Sequence, residues 1–128
     1  MFVFDELSVR SLEILYADNE KALSQIRRRL VKNFMDVIIL SELKGTPLSG
    51  YDVMTLIYRR FRILLGSGSV YSLLYSMERK GLIRGDWNER RRLYTLTQKG
   101  EKAIKATMNS YNRIESFVAD LLPKRTPA

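Results

Sequence analysis

Residues 66–97 read GSGSVYSLLYSMERKGLIRGDWNERRRLYTLT. Within them Val70, Leu73, Leu74 and Met77 recur at i, i+3, i+4 and i+7, the spacing of an amphipathic helix. Gly66-Ser67-Gly68-Ser69 is a turn that opens this helix, and Gly81 ends it. The opposite face carries Ser69, Ser72, Tyr75, Ser76 and Arg79. Two short strands follow, Leu82 to Trp87 and Arg91 to Leu96, around a polar turn Asn88-Glu89-Arg90. Ile83, Tyr94 and Leu96 suit the inward face of that hairpin, while Arg84, Arg90, Arg91 and Arg92 crowd its turn and flanks.

Upstream, Ser49 caps a helix over about residues 50–61, with Val53, Met54, Ile57 and Phe61 inward. Arg59, Arg60 and Arg62 gather at its far end, where cations suit the helix dipole. Residues 31–44 hold Val31, Phe34, Met35, Ile38, Ile39 and Leu43, the broad apolar face of a central helix. Lys44-Gly45-Thr46-Pro47 stops it, with glycine suited to the C′ position. Before it, residues 5–17 and a run with Leu23, Ile26 and Leu30 look helical, broken at Asp18-Asn19. Whether that second run joins the central helix is not decided by spacing. Downstream, Thr97 caps a last helix over about residues 98–122, and Pro123 closes it. The expected organisation is an N-terminal extension (1–30), a core domain (31–97), a long C-terminal helix (98–122) and a tail (123–128).

Composition narrows the chemistry. The chain has 128 residues with neither cysteine nor histidine. Disulfides, Cys/His metal sites, thiol nucleophiles and histidine acid–base catalysis are therefore excluded. We expect no catalytic residues, no metal, no cofactor and no enzyme activity. Asp86 and Glu89 sit beside arginines, without a second carboxylate cluster. The formal charge is +8, which favours polyanionic partners. It is uneven: residues 1–20 carry a net −4, which leaves +12 on the rest. No apolar run approaches the ~18 residues of a membrane span. Asp5 and Glu6 stand where a signal peptide carries basic residues, so no membrane association and a cytoplasmic location are expected.

Helix, helix, helix and a basic hairpin, in that order, make a mainly α winged helix-turn-helix with extra N- and C-terminal helices. Its third helix is small-residued on its outer face and fits a major groove about 12 Å wide. The hairpin reaches sideways to backbone or minor groove. Double-stranded DNA is thus the expected partner, with Ser67, Ser69, Tyr71, Ser72, Tyr75, Arg79, Arg84, Arg90, Arg91 and Arg92 as candidate contacts. Each has a plainer alternative. Ser67 serves equally as a cap, and the Tyr71 ring equally as packing. Three consecutive arginines repel one another unless an anion relieves them, and Arg84 is expected near them across the hairpin. Trp87 is expected to pack the base of the wing rather than line an effector pocket. Arg27, Arg28 and Arg29 are either a phosphate clamp or a solvated helix face, the latter being the default.

LKGTPLSGY (Leu43–Tyr51), GSVYSLLYSMERKGLI (Gly68–Ile83) and RLYTLTQKG (Arg92–Gly100) resemble, in order and spacing, blocks of the PadR-type transcription regulators. The resemblance spans about residues 31–105. It implies a homodimeric regulator, often a repressor, whose final helix lies in the dimer interface. It also implies, as in some members, a small aromatic or lipophilic effector between subunits. Two features depart from the family pattern. Ser49 stands where a histidine usually precedes Gly-Tyr, and the N-terminal extension is long. Independently, the stripe Ile104, Met108, Tyr111, Ile114, Val118 and Leu121 runs close to a heptad. A helix of ~25 residues is about 37 Å long, more than so small a domain covers, so a second copy is the expected partner of this stripe. Besides a sequence-specific repressor, two functions fit the sequence. One is an architectural DNA coater, since bidentate base readers are scarce on the third helix. The other is a winged helix used for protein–protein contact.

Overall fold

A computed structural model describes residues 18–122 and 124. The helix expected over 5–17, Pro123 and most of the tail lie outside the described residues. Among the described residues, six helices and one antiparallel hairpin follow one another as α1 (Asn19–Asn33), α2 (Met35–Leu43), α3 (Gly50–Phe61), α4 (Ser67–Arg79), β1 (Ile83–Asn88), β2 (Arg91–Leu96), α5 (Gln98–Asn109) and α6 (Tyr111–Leu121).

Asp18 caps α1 by accepting from the Lys21 backbone N–H at 2.8 Å. The junction between α1 and α2 is a single residue, Phe34, whose backbone departs from helical values. Its N–H still donates to the Leu30 carbonyl, and its own carbonyl accepts from Ile38. The two runs therefore form one bent rod. Lys44 and Gly45 end α2 by tight bonds back to Ser41 and Glu42. Gly45 follows the C-cap Lys44 and so takes the C′ position expected for it, though without positive φ.

Ser49 and Asp52 form a reciprocal capping box at the start of α3. The Ser49 hydroxyl accepts from the Asp52 N–H at 3.1 Å, and the Asp52 carboxylate accepts from the Ser49 N–H at 2.9 Å. Arg62 ends α3 in the left-handed region. Gly66, not Ser67, is the N-cap of α4, and Ser67 is already helical. At the other end the Gly81 N–H bonds to the Glu78 carbonyl and the Leu82 N–H to the Met77 carbonyl. Gly81 takes φ of 79°. This is the Schellman arrangement, in which glycine avoids the Cβ penalty.

The hairpin pairs Ile83 with Leu96 through to Asn88 with Arg91. The turn is thus two residues, Glu89-Arg90, not the three expected, and Glu89 takes the positive φ that such turns favour. A further backbone bridge joins Leu48 to Tyr94, tying the segment before α3 to the wing. Ile39, Val53, Ile57, Val70, Leu74 and Ile83 are fully buried where α2, α3, α4 and β1 meet. Each such side chain contributes roughly 1.5–3 kcal/mol. Phe34, expected inward, is exposed.

The C-terminal helix is bent at Ser110 into α5 and α6. Thr97 caps α5 by accepting from Gly100, and its hydroxyl donates to the Gly81 carbonyl at 2.5 Å. Gly100 lies against the Leu82 carbonyl, where a Cβ has no room. Gly100→Ala is expected to cost about 1–3 kcal/mol by forcing this backbone apart. A thermal melt reads this as a Tm drop of several degrees, and an unchanged Tm refutes the contact.

Candidate nucleic-acid interface

Two carboxylates that sequence reading missed, Asp52 and Glu78, hold the wing against the helices. Arg91 Nη2 lies 2.6 Å from Asp52 Oδ2 and 3.4 Å from the Ser49 hydroxyl. Arg92 Nη2 donates to both Glu78 oxygens, at 2.8 and 3.1 Å. Glu78 also accepts from the Gly85 N–H at 3.1 Å, so one side chain of α4 grips both strands. The anions that relieve Arg91 and Arg92 are therefore the chain's own. Only Asp52 carried a local signal, its position three residues after the cap. Glu78 carried none, because its partners lie up to fourteen residues away.

Arg90 sits at the turn, exposed, and forms no ion pair among the described residues. Arg84 is not beside the other arginines as expected. The register sets it opposite Thr95, towards the base of the hairpin, where it pairs with Asp86 at 3.1 Å. Trp87 does not pack the base of the wing: it is 69 % exposed, opposite Arg92, whose guanidinium lies 5.7 Å from its ring. Trp87, Tyr51, Tyr71 and Tyr94 line, with the arginines, a cleft of about 570 Å³ between the wing and the start of α3.

The outer face of α4 lies beside this cleft. Ser67, Ser69, Ser72, Tyr75 and Arg79 are exposed. The Arg79 guanidinium lies 5.5 Å from the Tyr75 ring, which pre-orders both side chains. Tyr71 combines its two expected roles, since it remains 48 % exposed while its ring lies against Gly50. Its flank of α4 opens on the wing cleft. The opposite flank, Ser69, Ser72 and Ser76, lines a groove shared with Lys32.

The C-terminal stripe divides. Ile104 is 2 % exposed and belongs to the chain's own core, which corrects its expected place in a partner interface. Met108, Tyr111, Ile114 and Leu121 are exposed, and α6 buries no residue at all. Phe34, Val37, Met108, Tyr111 and Ile114 border an apolar groove of about 250 Å³. Among the described residues no group of acidic side chains is arranged to hold a metal, and no helix is long and apolar enough to cross a membrane.

Three packed helices with a hairpin clamped beside the third make this a winged helix-turn-helix protein. The chain belongs to the PadR-like family of transcriptional regulators, which its residues 39–106 match. It is accordingly a DNA-binding regulator and not an enzyme. Solved structures agree. The PadR family regulator of Clostridium difficile is 26 % identical, with a TM-score of 0.62 over 70 % of this chain and 99 % of that one. The PadR-like regulator of Bacillus cereus is 24 % identical, with a TM-score of 0.65 over 76 % and 99 %. That of Eggerthella lenta shares the fold at 20 % identity, with a TM-score of 0.68 over 83 % and 96 %. No curated protein sequence matches the chain.

The Asp52 carboxyl is held below its ordinary pKa of 3.8, chiefly by the Ser49 backbone N–H, which outweighs the opposing effect of burial, with lesser help from the Ser49 hydroxyl and Arg91. A depressed folded pKa stabilises the fold above the unfolded value and loses that effect as pH falls through the folded one. Asp52→Asn is therefore expected to flatten the stability profile below about pH 4 and to lower stability at neutral pH by roughly 1 kcal/mol. Denaturant melts from pH 2 to pH 7 test this, and parallel profiles for both proteins refute it.

Proposed function

We propose that the protein acts as a homodimeric repressor that reads a pseudo-palindromic operator. Its α4 lies in the major groove and its wing on the backbone or in the minor groove. The observation that carries this reading is the continuous outer face of α4, whose hydroxyls, Tyr75 and Arg79 stand clear of the core beside the clamped wing. Ser67, Ser69, Ser72, Tyr75 and Arg79 then meet base edges and phosphates. Tyr71, Arg84 and Arg90 meet the backbone. Arg91 and Arg92 chiefly hold the wing in place and contribute positive charge.

Dimer formation is supported by the unburied stripe Met108, Tyr111, Ile114, Val118 and Leu121. A second copy packed along it removes this apolar surface from water, at about 25 cal/mol per Å². It also sets two α4 helices about one duplex turn, roughly 34 Å, apart. The apolar groove beside Met108 is where a small aromatic or lipophilic effector would bind. One observation favours the architectural reading instead: Arg79 is the only long bidentate reader on the exposed face of α4.

Titration of the protein against its own upstream DNA and a random duplex, across a salt series, separates the readings. Tighter binding to the upstream DNA, persisting at higher salt, supports the repressor. Equal binding supports the coater, and binding to neither overturns both. Ile114→Asp with Val118→Asp is expected to give a monomer by sedimentation and to weaken operator binding by about 100-fold or more. A dimer that survives both changes refutes the interface.

A further inference from the structure

We infer that α1 is an additional DNA-contacting element, whose basic side lies on backbone phosphates beside the groove entered by α4. This rests on the reading that α4 faces the duplex. Lys32 of α1 and Ser69, Ser72 and Ser76 of α4 line one groove of about 460 Å³. The side of α1 bearing Lys32 therefore opens next to the hydroxyl flank of α4. Arg28 stands four residues before Lys32, on the same side, and Arg29 stands three before it. All three are exposed, and among the described residues none forms an ion pair or a side-chain hydrogen bond. Their neighbour Arg27 differs. Its guanidinium donates to the Phe61 carbonyl at 3.1 Å, one of the carbonyls a helix end leaves unpaired. Arg27 thus ties α1 to the end of α3, just ahead of α4, and Val31 anchors the same stretch in the core.

The other flank of the rod carries exposed Leu23 and Leu30 of α1 and the junction residue Phe34, and Phe34 borders the groove of Met108, Tyr111 and Ile114. Phe34 thus faces the α5–α6 side while Lys32 faces the α4 side. Held cations that form no ion pair among the described residues, next to a DNA-reading helix, have the chemistry of a phosphate clamp: they release counterions and carry no sequence information.

The test is anisotropy titration of the full chain on a labelled random-sequence duplex, across a potassium chloride series, for the parent protein and for Arg28→Ala, Arg29→Ala, Lys32→Ala combined. Alanine preserves helix propensity, and circular dichroism confirms the fold. Each lost phosphate contact is expected to reduce the salt slope by about 0.9, so the triple variant loses about 2–3 in slope. The Arg28→Lys, Arg29→Lys variant is expected to keep the parent slope. The triple variant is expected to keep the parent's preference for upstream over random DNA. Parent binding with an unchanged slope in the triple variant overturns this inference alone. Failure of the parent to bind any duplex overturns it together with the α4 reading.

Discussion

The reciprocal backbone pair between Leu48 and Tyr94 is the constraint on which the interface depends. The Tyr94 N–H donates to the Leu48 carbonyl at 2.8 Å, and the Leu48 N–H donates back at 3.2 Å. A two-stranded hairpin alone is marginal in water. This third partner gives the wing a seat on the helical body and buries Ser49, the cap of α3. It also delivers Arg91 to the capping box. The same carboxylate that satisfies the end of α3 then pairs with the wing, so helix start and wing position form one unit.

Glu78 performs the corresponding task on the far side. It reaches the Gly85 N–H on β1 and the Arg92 guanidinium on β2, which links α4 to both strands. Exposed ion pairs contribute little singly, and these two are partly exposed. Their value is geometric. They orient the wing relative to α4 before any DNA arrives, so less ordering remains for binding. They also divide the labour among the arginines: two position, while Arg90 projects into solvent.

Burial divides the remaining surface in a comparable way. The core closes around α2, α3, α4 and β1, and leaves one flank of α1 and most of α6 uncovered. Lys32, with Arg28 one turn before it, falls on the side of α4, and Phe34 falls on the side of α6. A polar partner and an apolar one can therefore be engaged on opposite flanks of the same helix. That separation follows from where Val31 and Met35 point, since their burial sets the rotation of the rod about its axis.

Much of this was legible in the sequence. The 3.6-residue spacing of Val70, Leu73, Leu74 and Met77 sufficed for α4, and Gly81 sufficed for its end, because both signals are local. Ser49 and Thr97 were readable as caps for the same reason. The family could be read from three ordered blocks. Other features were not local. Whether α1 and α2 join depends on how Phe34 bends the rod over the core, and residue spacing carries no bend. The turn length and the place of Arg84 depend on strand register, which cross-strand packing decides. Most of all, one-dimensional spacing cannot show that Arg91 and Arg92 meet Asp52 and Glu78, because those contacts exist only once β2 is paired and seated. The sequence by itself thus determined the elements, their order and the excess of positive charge. Tertiary structure alone decided which of those charges are spent inside the molecule and which stay available to a phosphate, since ion pairing depends on distances that only packing sets.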